Sequence, residues 1–343
     1  VSPASSPEAK GLVLSCHGAG VGPMGQVRAY APKDWCTVVA PTNRRPFGFD
    51  WEDWGRIDFL EVKAEAERLL QPDRSQVHLT GHSMGGHGTW ILGAQFPDRF
   101  GAIAPSAGWR DFWSYGGGPQ WDKPTATQQM LLRASNVSRT MRLKDNYRHH
   151  GIYVLHGDAD KNVPVSQARY MRERLGKFHR NFAYYEQPGA GHWWGNRCVD
   201  CAPLFEVLMH NPIPPARSQE YVRFLTVSPA ISDTCYWVRI VNQLRSLERS
   251  YADVRIDPTK REIALRTVNV ARLELDLRPF TKEETVGRGD RQRTVVPLPP
   301  GKPITLLVGK ARLERAWPAD GVLRMKVDPE QTWVTTEPAP SSE

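Results

Sequence analysis

The 343-residue sequence predicts an α/β fold over residues 1–212, a mostly parallel sheet with helices on both faces, followed by an all-β, sandwich-like domain over residues 213–343. Three observations carry this. Short apolar runs without alternation recur between helical patterns in the first part, as strands buried on both faces require. A Pro-rich segment, Asn211-Pro212-Ile213-Pro214-Pro215, interrupts the chain. Beyond it the period switches to apolar–polar alternation.

The elements follow in order. Residues 11–18 form an apolar run closed by Gly18, and Cys36 to Ala40 form a second, closed by Pro41. Residues 57–70 place apolar groups at helical spacing, and Pro72 ends them. A strand over Gln76–Thr80 leads through a glycine-rich turn into a helix reaching about Phe96, and residues 101–106 give the next strand. Residues 109–150 break the rhythm and read as an irregular insertion with a helix near 125–135. Strands at 151–156 and 182–186 flank a helix from about Val165 to Leu175, and a short helix near Leu204–Met209 closes the unit. After residue 213, seven runs beginning at Tyr221, Tyr236, Ala252, Glu262, Ala271, Ile304 and Val322 alternate as sandwich strands do. The tail after Thr335 is Pro/Ser-rich and is expected to be loose.

Composition narrows the function classes. The net charge of +8 is dispersed, and a patch such as Arg288 to Arg293 reads as a solvated loop. No basic stripe interleaved with aromatics stands out, so no nucleic-acid partner is expected. No run of about 18 apolar residues exists, so no membrane span is predicted. No signal peptide is visible, and the opening Val1-Ser2-Pro3 in place of Met reads as a trimmed product or a linker remnant, compatible with an extracytoplasmic, periplasmic or secreted location. Five cysteines leave at least one unpaired within the chain. Cys16 and Cys36 lie in apolar runs as small hydrophobes, whereas Cys198 and Cys201 have C-x-x-C spacing without two further metal ligands nearby. A local disulfide or two free thiols is expected there, and no metal.

Chemistry concentrates at Gly81-His82-Ser83-Met84-Gly85-Gly86, a G-x-S-x-G between a strand and a helix. A hydroxyl is a weak nucleophile and must project from a sharp turn within reach of a base. Glycines at 81 and 85 remove side chains that would strike the neighbouring strand and helix. Downstream, His156-Gly157-Asp158-Ala159-Asp160 follows one strand and Gly189-Ala190-Gly191-His192 follows the next. Both are strand-to-loop transitions at the carboxyl edge of the sheet, where open α/β folds place their sites. The order Ser83, Asp160, His192 is that of an α/β-hydrolase triad.

Here the sequence resembles a family. Leu155 to Pro164 is similar to the acid loop of prolyl-oligopeptidase-like α/β-hydrolases, whose last Asp is catalytic and corresponds to Asp160. The Ser83 turn is similar to the elbows of that group and of feruloyl and polyhydroxyalkanoate esterases, and Gly191-His192 matches the histidine loop. The resemblance covers about residues 11–210 and departs from the large oligopeptidases in lacking a β-propeller. It implies a serine hydrolase acting without a cofactor through an acyl-enzyme. Asp158 is a competing acid whose other role is to cap its loop. His82 and His87 read as structural, with rings pointing away from the Ser83 hydroxyl, and His156 as a backbone anchor. The oxyanion hole is expected from the N–H groups of Met84 and Ala19, the latter following His17-Gly18. Trp109, Trp113, Trp193 and Trp194 follow sheet strands and are expected to form an apolar platform for aryl or sugar groups, while Trp51 and Trp54 join the rim or simply pack. The expected function is hydrolysis of carboxylic esters, aryl or carbohydrate-linked, with a small or polysaccharide-linked ester as partner. A serine peptidase of the prolyl-oligopeptidase type and a catalytically silent binding protein are the alternatives.

Overall fold

In a computed structural model, which describes residues 1–282, 284–286, 293–295, 297–327 and 333–335, the chain forms two compact units, Val1–Ile213 and Pro214–Glu343. The apolar runs of the first unit become β1 (Gly11–Cys16), β2 (Cys36–Val39), β3 (Val77–His82), β4 (Ala102–Ser106), β5 (Gly151–Gly157) and β6 (Phe182–Gln187). They pair in the order β2-β1-β3-β4-β5-β6, every neighbour parallel. Every residue of β1, β3, β4 and β5 is buried, which is why β1, β4 and β5 are largely apolar without alternation, whereas β3 buries His78, Thr80 and His82 among its apolar residues. β6 lies at the edge and is only partly covered.

Helices connect the strands: α1 (Pro23–Val27), α2 (Asp53–Leu70), α3 (Met84–Gln95), α4 (Phe112–Tyr115), α5 (Ala126–Ala134), α6 (Ser166–Leu175) and α7 (Ala202–His210). α7 packs Leu204, Phe205 and Leu208 on Val13, Val38, Ala102, Ala104 and Leu155. The alternate residue Ile103 faces the other way, towards Gly93 of α3, so helices cover both faces. α2 starts four residues earlier than its apolar periodicity shows, because its first turn exposes Trp54 and contains Gly55. It ends with Gln71 in the left-handed conformation, where Pro72 stops the helix. All twelve residues of α3 are buried. The 109–150 insertion is anchored to it: Tyr147 donates its hydroxyl to the Trp90 carbonyl (2.8 Å) and Asn146 donates its amide to the Ala94 carbonyl (2.8 Å). α5 opens with a reciprocal capping box between Thr125 and Gln128.

The second unit holds two five-stranded sheets. The first has the order β16-β15-β11-β10-β7, from β7 (Tyr221–Thr226), β10 (Ser250–Asp257), β11 (Glu262–Val268), β15 (Ile304–Val308) and β16 (Ala311–Arg315). The second has the order β18-β17-β12-β9-β8, from β8 (Thr234–Cys235), β9 (Val238–Gln243), β12 (Val270–Asp276), β17 (Val322–Val327) and β18 (Trp333–Thr335). β13 (Glu284–Val286) and β14 (Arg293–Val295) form a separate hairpin. Inward residues of both sheets, among them Phe224, Ile256, Leu273, Leu275 and Met325, share one core, the signature of a sandwich. All seven expected strands are present, joined by β8, β16, β18 and the hairpin. β16 escapes a sequence reading because it is an edge strand in which only Leu313, partly buried, packs against the core. The tail beyond Thr335 and residues 288–292 of the basic patch lie outside the described residues. Among the described residues no helix is long and apolar enough to cross a membrane.

Candidate active site

Adjacent parallel strands bring their carboxyl ends together, and the motif residues lie there. After β3 the chain turns at Ser83, with φ 60° and ψ −119°, into α3. A side-chain-bearing residue at this φ is strained, and the strain projects its Oγ from the turn. The glycines make it feasible. A methyl at Gly85 would fall on the Cys16 carbonyl at the end of β1, and one at Gly81 on the Gly85 carbonyl. The Ser83 N–H is held by the Ser106 carbonyl of β4 at 3.0 Å.

Asp160 and His192 follow β5 and β6. His192 Nδ1 lies 2.7 Å from Asp160 Oδ2, and its Nε2 lies 2.8 Å from Ser83 Oγ. With Nδ1–H donated to the carboxylate, Nε2 is left to accept the serine hydroxyl. The other Asp160 oxygen, Oδ1, accepts the N–H groups of Asn162 (2.8 Å) and Val163 (3.0 Å). His156 Nε2, 3.3 Å from Oδ2, donates to the Val163 carbonyl at 2.9 Å, so it steadies the carboxylate and its loop together. Burial alone would raise the Asp160 pKa. The hydrogen bonds from His156, His192 and the Val163 N–H outweigh it and hold the carboxyl well below the usual range. Asp158 is exposed and accepts the Gly189 N–H at 2.7 Å, which caps the loop carrying His192.

Ala19 is exposed on the wall of the cavity into which Ser83 opens, and Gly18 abuts Ser83. Met84 is the first residue of α3, where an N–H has no carbonyl of its own helix to bond. The loop bearing Ala19 is fixed by His17, whose ring nitrogens reach the carbonyls of Gly18 (2.9 Å) and Thr42 (3.1 Å). Trp51 is fully buried, stacks edge-on to His17 and donates its indole N–H to the His17 carbonyl at 3.2 Å. Trp51 therefore packs, and Trp54 is exposed.

Two sequence expectations change. His82 does not point away: its ring lies 4.8 Å from that of His192, it lines the cavity, and its Nε2–H donates to the His192 carbonyl at 2.8 Å. Burial, with the neighbouring imidazole, depresses its pKa to about 3, so it is a neutral fastener of the histidine loop. The four tryptophans do not converge. Trp193 alone lines the Ser83 cavity, 52% exposed and edge-on to His82. Trp194 faces a separate cavity of about 210 Å³ with Tyr153 and Tyr185. Trp109 is buried in a stack between His87 and Tyr115, and Trp113 packs beneath Arg139 and over Gly118. Strand-end position brought each tryptophan to the right edge, but side-chain direction was set by packing.

His87 shows why its helix position matters structurally. It is fully buried, donates Nδ1–H to the Trp109 carbonyl (3.1 Å) and lies 3.1 Å from Glu52 and 3.5 Å from Asp50. Burial opposes its charge, but the two carboxylates overcome this and lift its pKa to about 9. Asp50, with Glu52 beside it, is raised by burial to about 7. Among the described residues this trio is the grouping with metal-ligand spacing, its ligand atoms within 4.8 Å of one another. A protonated imidazole already supplies the positive charge that the carboxylates need. Cys16, Cys36, Cys198 and Cys201 are free thiols, the first three buried and Cys201 partly so. The cavity beside Ser83 has a volume of about 410 Å³. Sequence reading missed Arg28 and Asn196 on its wall, since no motif marks either of them.

Residues 44–201, which include Ser83, Asp160 and His192, match the prolyl oligopeptidase family. The chain is also similar to an uncharacterized secreted protein of Arthroderma benhamiae, 29% identical over 197 residues that make up 53% of this chain and 21% of that one. The chain thus spans about a fifth of the length of that relative. Similar solved structures include Est1E from Butyrivibrio proteoclasticus (18% identity, 60% of this chain and 87% of that chain, TM-score 0.43). The esterase PE8 is another (19% identity, 56% and 88%, TM-score 0.40), as is the acylaminoacyl peptidase of Pyrococcus horikoshii (15% identity, 56% and 34%, TM-score 0.42). With its parallel sheet and the order elbow, acid loop, histidine loop, the unit Val1–Ile213 has an α/β-hydrolase fold of prolyl-oligopeptidase-like type.

Proposed function

We propose that this chain is a serine hydrolase that cleaves carboxylic esters through an acyl-enzyme, with Ser83 as nucleophile, His192 as base and Asp160 as the orienting acid. The observation that carries it is the unbroken hydrogen-bond sequence from Asp160 Oδ2 to His192 Nδ1 (2.7 Å) and from His192 Nε2 to Ser83 Oγ (2.8 Å). In this reading Ser83 Oγ attacks the carbonyl carbon as its proton passes to His192 Nε2. The tetrahedral oxyanion is met by the N–H groups of Met84 and Ala19. Collapse expels the alcohol, which leaves with the proton from Nε2. Water then attacks the acyl carbon, gives its proton to the same nitrogen, and releases the acid and free Ser83. Asp160 remains ionised and keeps His192 in the tautomer whose Nε2 can accept. No step requires a cofactor.

A cavity of about 410 Å³ suits a compact acyl or alkoxy group, and the exposed face of Trp193 suits an aryl or sugar ring. Peptide hydrolysis uses the same groups, and the match to the prolyl oligopeptidase family favours it as the second reading. Secretion is proposed on the likeness to the Arthroderma protein. The test is hydrolysis of p-nitrophenyl acetate and of a prolyl p-nitroanilide by wild type and Ser83→Ala. Ester turnover at least a hundredfold above anilide turnover, abolished by the substitution, supports the ester reading; the reverse ranking replaces it with peptidase. Turnover of either substrate by Ser83→Ala within tenfold of wild type overturns the nucleophile assignment.

A further inference from the structure

We propose that Arg28 determines specificity at this site by selecting esters that carry a carboxylate. The inference rests on the ester-hydrolase reading and names its substrate class. Arg28 lies on the wall of the cavity that contains Ser83, His192, Trp193 and Asn196. Among the described residues lining that cavity it is the only Arg or Lys, and none is Asp or Glu. Two arginines of this unit, Arg44 and Arg169, are held by carboxylates, Glu61 at 2.7 Å and Glu186 at 2.6 Å. Arg28 forms no ion pair among the described residues, and it is exposed. The neighbouring imidazole of His82 is neutral, and the Asp160 carboxylate is buried behind His192, so the wall's fixed charge is the Arg28 guanidinium.

The base of Arg28 is rigid. It caps the C-terminus of α1 between the buried residues Val27 and Ala29. One residue further out on each side, Gln26 donates its amide to Ser15 Oγ (2.9 Å) and to Tyr30 Oη (3.2 Å), while Ser15 and Tyr30 share a 2.7 Å hydrogen bond. Ser15 belongs to β1, whose end carries the Ala19 loop, so the cation and the proposed oxyanion donor are built on one strand. A planar guanidinium with five N–H donors binds a carboxylate at two points, which an ammonium does not.

Two substrate pairs test this, placing the carboxylate on either side of the scissile bond: p-nitrophenyl hemiglutarate against p-nitrophenyl butyrate, and 4-acetoxybenzoate against phenyl acetate. Wild type is expected to favour the anionic member of at least one pair at low salt, and 0.5 M NaCl to shrink the preference. In Arg28→Gln that preference should fall about five- to tenfold, mainly through KM, and Arg28→Lys should restore part of it. Circular dichroism and Tm check that the variants fold. An unchanged anionic-to-neutral ratio in Arg28→Gln for both pairs overturns the proposal. If wild type cleaves neither ester, the ester reading fails and the proposal is decided separately: glutarate should slow phosphonylation of Ser83 by a neutral fluorophosphonate in wild type and not in Arg28→Gln. Equal protection of both proteins overturns it.

Discussion

Replacing Asp160 by Asn is the sharpest probe of the proposed triad, because the surroundings dictate how the amide must sit. Asp160 Oδ1 accepts two backbone N–H groups, from Asn162 at 2.8 Å and Val163 at 3.0 Å. Only the carbonyl oxygen of an asparagine can take that place, since an NH2 there would face two donors. The NH2 is therefore driven to the Oδ2 position, 2.7 Å from His192 Nδ1. It must donate, so Nδ1 becomes the acceptor and the ring proton moves to Nε2. Nε2–H then faces Ser83 Oγ at 2.8 Å and cannot take its proton. Loss of the correct tautomer costs about 10⁴ in kcat in serine triads, or about 5 kcal/mol of transition-state stabilisation. Asp158→Asn should cost less than about threefold, because an amide oxygen can still accept the Gly189 N–H that Asp158 now holds at 2.7 Å. The assay is kcat and kcat/KM for p-nitrophenyl acetate on both variants, with Tm to confirm folding. A loss below tenfold for Asp160→Asn, or a larger loss for Asp158→Asn, would refute the tautomer reasoning and the choice of acid.

Gly85→Ala places a methyl on the Cys16 carbonyl, a backbone clash that cannot be relieved by a rotamer; about 3 kcal/mol of destabilisation is expected, lowering Tm by roughly 6–12 °C, and a shift under 2 °C by calorimetry would contradict it. Trp193→Ala should lower kcat/KM for an aryl ester about five- to thirtyfold with little change in Tm, whereas Trp194→Ala, packed against the α7 core, should lose stability instead; the opposite assignment of effects would remove Trp193 from the substrate site. The buried trio gives a pH signature. Since the His87 pKa rises from about 6.5 unfolded to about 9 folded, its stabilisation is complete below pH 6.5 and is lost as pH rises through 9. The raised Asp50 pKa, about 7, acts in the same direction at lower pH. Denaturant unfolding should thus show stability falling by about 3 kcal/mol between pH 6.5 and 9, a slope that shrinks in His87→Gln; identical slopes in the two proteins would show that His87 is not charged.

The sequence by itself determined the elements and the order of the motifs. Strands β1, β4 and β5 were legible because burial on both faces forces largely apolar runs, and the sandwich strands because one buried face forces alternation. Ser83 was legible because an elbow that tight leaves no room for Cβ atoms at positions 81 and 85. Asp160 and His192 were readable as strand-end residues, and the acid-loop resemblance favoured Asp160 over Asp158; why the two differ lies in the tertiary structure, where both follow β5 and the register of one loop turns one carboxylate to His192 and the other to the Gly189 N–H. Likewise, four tryptophans occupy equivalent places in the sequence, and packing turned one to the cavity, one to a neighbouring cavity and two into stacks. The ring of His82 beside His192, the trio around His87 and the place of Arg28 on the cavity wall all join residues from separate elements. Local patterning encodes which backbone hydrogen bonds a segment makes and which face it buries. Side-chain direction across loops depends on neighbours far away in the chain, and only the folded chain supplies them.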